Sequence, residues 1–245
     1  MLYTVYTLFP DLVRPWTQEA ILGRAAEAGH LKFNVRNLRD HAQNKWNRVD
    51  ESPFGGGAGM VIRVDVAARA VAEAKAMAPA PDEIILLSPA GEPFSQTIAE
   101  ELSEKQHLCM LCGRYEGFDA RLEPLVTREI SIGDYVLMGG EIAALTVIEA
   151  TARLIPGVLG DQESHEQDSF STGLLDYPEY TKPNLFEGQG IPEVLKSGHH
   201  GKVAQWRRER ALERTFYRRP DLLEKVTLSQ TDLDFLARLK TKAET

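Results

Sequence analysis

Residues 109–141 read CMLCGRYEGFDARLEPLVTREISIGDYVLMGGE, and the fold assignment starts from them. They predict a buried strand, a glycine-bounded loop, a short helix, a second strand and a second glycine-rich loop. Glycine lets the backbone approach a ligand closely, because it has no Cβ and tolerates positive φ. Glycine-jointed polar loops after buried strands are typical of the ligand site of an open α/β sheet. The segment therefore predicts such a site, although any single glycine could serve only a tight turn.

The chain before this segment predicts alternating strands and helices. Strands are expected at residues 2–9, 32–38 and 84–87, and helices at residues 17–28, 65–77 and 96–103. Alternation with short connections predicts an α/β fold with a mostly parallel sheet.

Residues 142–155 form a strongly apolar helix that follows the second glycine-rich loop. A helix that is apolar on most of its surface must be buried on several sides. A subunit interface would satisfy this requirement, and so would a fully internal position, so the pattern leaves both open.

The composition is that of a globular protein with one or two domains. Apolar residues make up 43% and charged residues 26% of the 245 residues, which argues against wholesale disorder. No apolar run reaches the roughly 18–20 residues that span a bilayer. The N-terminus lacks the basic flank and cleavage site of a secretory signal. We therefore expect a cytoplasmic protein.

Cys109 and Cys112 form a lone C-x-x-C pair, which invites a redox or zinc interpretation. They lie in a predicted strand, where side chains three residues apart point to opposite faces. That geometry suits neither a disulfide nor a shared metal, and no second Cys/His pair completes a set of four ligands. We expect both to be buried core cysteines.

Residues 160–173 read GDQESHEQDSFSTG and form the best domain boundary in the sequence, because they are polar and nearly free of apolar residues. We predict a first domain at residues 1–159, a flexible linker at 160–173 and a small helical domain at 174–245. The clearest helices of the last domain are expected at residues 202–218 and 231–241.

The last domain carries a basic segment. Residues 196–219 contain eight Lys or Arg residues against two Glu, in a chain whose net charge is −8, and three aromatic residues lie among them. A charge run is usually a solvated face, but this excess with interleaved aromatics favours an RNA-binding surface. The side chains expected to contact RNA are Lys202, Arg207, Arg208, Arg214 and Arg218.

A second glycine cluster, VDESPFGGGAGM, occupies residues 49–60. It does not fit G-x-G-x-x-G, and it lacks the Lys-Ser/Thr ending of a phosphate-binding loop. Dinucleotide dehydrogenases and NTPases are therefore disfavoured.

These motifs resemble those of the bacterial tRNA (guanine-N1)-methyltransferases, the TrmD family of the SPOUT class. The resemblance covers nearly the whole chain in the right order: PFGGGAGM at 53–60, LLSPAGE at 86–92, GRYEGFD at 113–119, SIGDYVLMGGE at 131–141, RLIPGV at 153–158, DSF at 168–170 and RTFYRRPDLL at 214–223. The first motif departs from the family pattern at Glu51, Ser52 and Ala58, where Asp, Arg and Pro are usual, but the glycine frame is intact.

The resemblance implies a trefoil-knotted cofactor site and methyl transfer from S-adenosylmethionine to N1 of the guanosine immediately 3′ of the anticodon, position 37 of tRNA. It also implies a homodimer with active sites at the subunit interface, and neither a membrane nor DNA is an expected partner. The residues implied in cofactor binding are Leu86, Leu87, Ser88, Pro89, Gly113, Tyr115, Glu116, Ser131, Ile132, Gly133, Asp134, Tyr135, Val136, Leu137, Gly139 and Gly140.

Methylating guanine N1 requires removal of its proton, because the neutral base has no free lone pair there, and a carboxylate can serve as general base. Negative charge then builds towards O6, where a guanidinium can stabilise it. The resemblance assigns the base to Asp168 and the guanidinium to Arg153. It implies that Glu116 holds the target guanine or Mg²⁺, but no spacing of carboxylates marks a magnesium site, so no metal ligand is assigned.

Two other functions stay open at this point. A knotted methyltransferase for a different RNA position is disfavoured, because DSF and R-x-I-P-G-V belong to the guanine-N1 set. A non-catalytic RNA-binding protein of the same fold is disfavoured because Arg153, Glu116 and Asp168 are all present.

Overall fold

The computed structural model describes residues 1–160 and 168–243, which belong to two compact units. The first unit spans Met1–Gln162 and the second Glu163–Thr245. Of the linker predicted at residues 160–173, residues 161–167 lie outside the described part of the chain.

The first unit is built on a parallel sheet. Its strands are β1 (Leu2–Thr7), β2 (Lys32–Asn37), β3 (Asp50–Glu51), β4 (Val61–Ile62), β5 (Glu83–Pro93), β6 (His107–Cys112) and β7 (Arg128–Ser131). Five of them form one sheet in the order β2-β1-β6-β5-β7, and every neighbouring pair is parallel. Strands β3 and β4 form a separate antiparallel hairpin. The predicted α/β fold with a mostly parallel sheet is confirmed.

Helices connect these strands. They are α1 (Arg14–Gln18), α2 (Ala20–Glu27), α3 (Val64–Lys75), α4 (Gln96–Ser103) and α5 (Glu141–Ala152). Short 3₁₀ helices occur at Pro10–Leu12, Leu38–His41 and Ala120–Leu125. Among the helices described in either unit, none has the length and apolar character that crossing a membrane requires.

The single helix predicted at residues 17–28 is wrong, because the chain forms two helices there. Pro15 lies in the first turn of α1, where its fixed φ and missing N–H favour a helix start. Glu19 is extended (φ −109°, ψ 163°), and α2 begins anew at Ala20. The apolar periodicity of residues 20–25 conceals this break.

The strand predicted at residues 84–87 continues to Pro93. Its pairing with β7 shifts register between Leu87 and Glu92, and then Glu92 pairs with Ile130 and Pro93 with Ser131. The apolar run ends at Leu87, where the irregular part of the strand begins, and residues 88–90 line a cavity.

The sheet carries one apolar core on each face. Cys112 packs in the core that contains α2 and α5, and Cys109 packs in the core that contains α3. Both thiols are free and buried. Burial raises the pKa of Cys109 to about 12 and holds that of Cys112 well above its ordinary value. The prediction of structural core cysteines on opposite faces is confirmed.

Helix α5 is largely buried within its own chain, as its apolar composition requires. Its exposed side chains are Ile142, Thr146 and Glu149, which lie along one stripe of the helix. The internal position accounts for most of its apolar residues, and the stripe remains available to another surface.

The second unit consists of a short hairpin and helices. Its elements are β8 (Leu185–Phe186), β9 (Gln189–Gly190), α6 (Glu193–Lys196), α7 (His200–Arg218), α8 (Pro220–Leu223) and α9 (Gln230–Ala243). Helices α7 and α9 include the two predicted at residues 202–218 and 231–241. They share a core formed by Leu174, Ala211, Leu212, Phe235, Leu236 and Leu239.

Candidate active site

The carboxyl ends of three adjacent strands, β6, β5 and β7, meet at one edge of the sheet. A cavity of about 370 Å³ lies there, lined by residues 86–90, 113–120, 129–133 and 135–140 together with Glu123 and Ala143. This volume lies within the range of small-molecule sites, roughly 300–1,000 Å³. The position is the one at which open α/β sheets bind ligands.

All of the residues expected to bind a cofactor line this cavity, with the exception of Asp134. Asp134 is exposed at the tip of the loop after β7. The structure thus brings together three segments that are separate in sequence. Their contacts with a cofactor stay a prediction.

The loops after β6 and β7 are tied to each other by their backbones. Gly140 N–H donates to the carbonyl oxygen of Gly113 at 2.9 Å, and Arg114 forms an antiparallel bridge with Gly139. The Arg114 Nη1 also donates to the carbonyl oxygen of Met138 at 3.3 Å. The loops after β6 and β7 therefore form one wall of the cavity that is connected by hydrogen bonds.

Arg114 forms an ion pair with the carboxylate of Glu141, which is buried: the Glu141 side chain is 2% exposed. Arg114 Nη2 lies 2.9 Å from Glu141 Oε2, and its Nε donates to Oε1 at 3.2 Å. The hydroxyl of Thr7 donates to the same Oε1 at 2.5 Å, and the guanidinium lies over the ring of Phe9. A buried charge needs such partners, because an unpaired one would be strongly destabilising.

This arrangement requires Gly139. A Cβ at that position would lie 2.2 Å from Arg114 Nε and 2.6 Å from Glu141 Oε2, closer than real Cβ contacts. Only glycine therefore allows the loop after β7 to pass over the Arg114–Glu141 pair.

Glu141 was not predicted as a site residue. An acidic residue in the first turn of a helix is ordinarily explained by the helix dipole and by solvent. The sequence gives one sign of this role: Glu141 is the first residue of a largely apolar helix. If that end of the helix is buried, the carboxylate needs a cationic partner.

The tip of the loop after β6 carries Tyr115 and Glu116. Tyr115 adopts φ +59°, a left-handed conformation that costs about 1–3 kcal/mol in a bulky residue and is found preferentially at functional sites. Glu116 N–H donates to the carbonyl oxygen of Met60 at 2.9 Å, so the tip is anchored to the last residue of the glycine cluster at residues 49–60.

The two residues assigned to the chemistry belong to different units. Arg153 is half-buried and caps the carboxyl end of α5 in the first unit. Asp168 belongs to the second unit, where its carbonyl oxygen accepts from Ser171 N–H at 3.2 Å. Their joint action on a substrate stays a prediction.

The turn that begins at Asp168 is fixed to the second unit by hydrogen bonds. Ser169 Oγ donates to Asp176 Oδ1 at 3.0 Å and accepts from Asp176 N–H at 3.0 Å. Phe170 N–H donates to the carbonyl oxygen of Leu174 at 2.7 Å, and Leu174 is part of the apolar core. The DSF motif therefore forms a turn that is hydrogen-bonded to this unit.

The five predicted RNA-contacting side chains differ in their surroundings. Lys202 and Arg218 are exposed, and the guanidinium of Arg207 lies 4.7 Å from the centroid of the Tyr177 ring. Arg214 Nη1 donates to the carbonyl oxygen of Asp176 at 3.2 Å. Their contacts with RNA stay a prediction.

Arg208 forms a two-point ion pair with Asp232, whose side chain is 7% exposed. Its Nη2 donates to Oδ2 at 2.9 Å and its Nε donates to Oδ1 at 3.1 Å. These bonds from Arg208 lower the pKa of Asp232 to about 2. Arg208 therefore joins α7 to α9, and that structural role was not predicted.

In the part of the chain that the structure describes, no group of three or more His, Cys, Asp or Glu side chains could hold a metal ion. Mg²⁺ therefore rests on the resemblance alone.

Comparison with known proteins gives the family. A family model of tRNA (guanine-1)-methyltransferase TrmD matches residues 1–225. A tRNA (guanine-N(1)-)-methyltransferase of Deinococcus radiodurans is 60% identical over 242 residues, which cover 99% of this chain and 87% of the relative. One of Thermus thermophilus is 57% identical over 239 residues, 98% of both chains, and one of Symbiobacterium thermophilum is 51% identical over 245 residues, 99% of both. The chain therefore belongs to the tRNA (guanine-1)-methyltransferase TrmD family.

Proposed function

We propose that this chain transfers a methyl group from S-adenosylmethionine to N1 of the guanosine immediately 3′ of the anticodon, position 37 of tRNA. The family membership supports the reaction, and the relatives at 51–60% identity carry the name tRNA (guanine-N(1)-)-methyltransferase. The observation that carries the proposal is the cavity itself, because three motifs of the family line it together.

The residues around the cavity fit S-adenosylmethionine. When bound, this cofactor supplies an electrophilic methyl group on a positively charged sulfur. The loops at residues 86–90, 113–117 and 131–140 offer backbone N–H and C=O groups beside apolar side chains such as Leu87 and Leu137. That combination of a mostly apolar wall with a few polar groups suits an adenosine.

The chain's own residues supply the proton transfer and the charge stabilisation. In our proposal the Asp168 carboxylate accepts the proton from guanine N1, and the freed lone pair forms the N1–methyl bond as the sulfur–methyl bond breaks. Arg153 stabilises the negative charge that develops on O6. A positioned general base contributes typically about 10²–10⁴-fold to the rate. Glu116, at the loop tip, holds the target guanine.

We also propose the trefoil knot that the SPOUT class implies. The family membership supports it, and the backbone bonds that place residues 113–114 against residues 139–140 at the cavity are compatible with it.

A homodimer is the assembly that we propose. Large apolar side chains are exposed beside the cavity, where Val136 is 87% and Met138 90% exposed, and Ile142 follows at the start of α5. Such exposure is typical of an interface. Phe9 is also exposed and lies near these side chains. Arg114 links them, because its guanidinium lies over the Phe9 ring and its Nη1 donates to the Met138 carbonyl oxygen. The partner would bring its second unit to the cavity.

Subunit complementation tests this arrangement. The Glu116→Ala and Asp168→Ala proteins are each expected to be nearly inactive, with only a small residual rate that single-turnover conditions can measure. If each site uses the Glu116 of one subunit and the Asp168 of the other, mixing them under exchange restores about a quarter of wild-type activity, because half of the dimers are then mixed and each has one complete site. A mixture that stays nearly inactive, or a monomer in sedimentation, contradicts the proposal.

The reaction is tested with labelled S-adenosylmethionine and unmodified tRNA transcripts. One transcript has guanosine at position 37, and a second has another base there. We expect N1-methylguanosine in the first and no label in the second. A different methylated nucleoside would indicate another knotted methyltransferase, and RNA binding without methyl transfer would indicate a non-catalytic protein.

A further inference from the structure

Residues 55–59, the glycine-rich part of the cluster at residues 49–60, have no role in the proposed chemistry, but the structure connects them to the active site. Hairpin β3–β4 closes the base of this loop. Residues 60–62 then run beside residues 116–119, where Ile62 N–H donates to the Gly117 carbonyl oxygen at 2.9 Å and Asp119 N–H donates to that of Ile62 at 3.0 Å. Together with the bond from Glu116 N–H to Met60, these contacts make the end of the cluster a support for the loop tip.

The side chain of Glu116 lies directly against Gly59. A Cβ at Gly59 would lie 2.3 Å from Glu116 Oε1, 2.8 Å from Cγ and 2.9 Å from Cδ. Real Cβ atoms do not come closer than 3.0 Å to other heavy atoms. Three atoms of the Glu116 side chain therefore occupy space that is open only because residue 59 has no side chain.

We propose that Gly59 is a positioning residue that sets the direction of the Glu116 carboxylate. The inference rests on the proposed function, in which Glu116 holds the target guanine. With a methyl group at residue 59, the Glu116 backbone stays bonded to Met60, but its side chain must rotate away from its present place. The carboxylate then points away from the position at which it meets the substrate.

The alternative is that Gly59 serves only its own backbone, since its φ of +85° is unfavourable for any other residue. Gly55 provides a matched control. Its φ is +88°, and a Cβ there would meet no atom within 4 Å. The positive φ therefore disfavours alanine at both positions, and only Gly59→Ala adds a collision with Glu116.

The experiment is a double-mutant cycle on the full-length protein, measured as single-turnover methyl transfer to a tRNA transcript. The variants are Gly59→Ala, Gly55→Ala, Glu116→Ala and Gly59→Ala/Glu116→Ala. We expect Gly55→Ala to stay within about threefold of wild type and Gly59→Ala to lose tenfold or more, because contacting residues couple strongly. In the Glu116→Ala background, adding Gly59→Ala should change the rate no more than about threefold.

Two results overturn the inference while leaving the proposed function intact. One is a Gly59→Ala rate equal to that of Gly55→Ala, and the other is an undiminished Gly59→Ala loss in the Glu116→Ala background. Failure of the proposed function is separate, because wild-type protein would then make no N1-methylguanosine.

If Gly59→Ala does not fold, thermal unfolding of the double variants replaces the rate. Gly59→Ala/Glu116→Ala should then fold as well as Gly55→Ala/Glu116→Ala, because removal of the Glu116 side chain relieves the collision. A double variant that still fails to fold overturns the inference.

Discussion

Replacing Glu141 with Gln tests the ion pair between Glu141 and Arg114, a residue that lines the cavity. Gln has nearly the same shape as Glu, so the change removes the negative charge and leaves the packing in place. The Thr7 hydroxyl can still donate to the remaining carbonyl oxygen. Arg114, however, loses its counter-ion while 18% of its side chain is exposed.

The size of the effect follows from that exposure. Breaking a buried ion pair by removing one partner costs about 3–5 kcal/mol. Arg114 is partly accessible to water and keeps its bond to the Met138 carbonyl oxygen and its place over Phe9. We therefore expect a loss of about 2–3 kcal/mol in the free energy of unfolding, less than the full penalty. In a chain of 245 residues, a loss of this size lowers the melting temperature by about 5–10 °C.

The assay is thermal unfolding, with Glu51→Gln as the matched control. Glu51 pairs with Arg48 at the surface, where both side chains are about half exposed (49% and 50%). Such a pair contributes about 0–1 kcal/mol, so the control should unfold close to the wild type. Binding of S-adenosylmethionine, measured by calorimetry, should weaken in Glu141→Gln alone, because Arg114, which lines the cavity, is no longer fixed by its counter-ion. Equal unfolding of the two variants would refute the reasoning.

Three further predictions concern the second unit and the core. Asp232→Asn should destabilise the protein by about 2 kcal/mol at pH 7, since one pKa unit corresponds to 1.36 kcal/mol and Arg208 lowers the Asp232 pKa from 3.8 to about 2. Because a lowered carboxyl pKa stabilises above its unfolded value, the difference from wild type in chemical unfolding should shrink as the pH falls from about 4 towards 2. Lys202→Gln should weaken tRNA binding and reduce its salt dependence by about one unit of slope, whereas Lys225→Gln, also exposed, should not; equal effects would remove Lys202 from the RNA face. The two buried cysteines should resist alkylation at pH 8 until the protein is unfolded, and labelling of the native protein at the rate of a free thiol would contradict their burial.

The parallel sheet and the position of the cavity were predictable because both follow from local patterns. The first part of β5 and most of β6 are short apolar runs, and the loops after β6 and β7 carry glycines close behind their strands. The carboxyl ends of parallel strands lie at one edge of the sheet, so both loops were expected there. The apolar composition of α5, which extends over most of its surface, likewise predicted its burial.

The contacts that fix the site could not be predicted in this way. Glu141 pairs with Arg114, and Gly59 accommodates Glu116, across long stretches of chain. Sequence patterns report which face of an element is buried, but not which distant side chain occupies the space left by a glycine. Asp168 is a similar case, because its turn is fixed by bonds from Ser169 to Asp176, and a polar segment gives no sign of them.

The most direct test of the account is the single-turnover rate of Asp168→Asn, measured with tRNA and S-adenosylmethionine at saturation. Asp234→Asn, an exposed carboxylate on α9, serves as the control. We predict that Asp168→Asn slows formation of N1-methylguanosine by about 10²–10⁴-fold, with both dissociation constants nearly unchanged, because only the proton acceptor is lost. Formation of N1-methylguanosine by Asp168→Asn at the rate of the control would show that another group takes the proton.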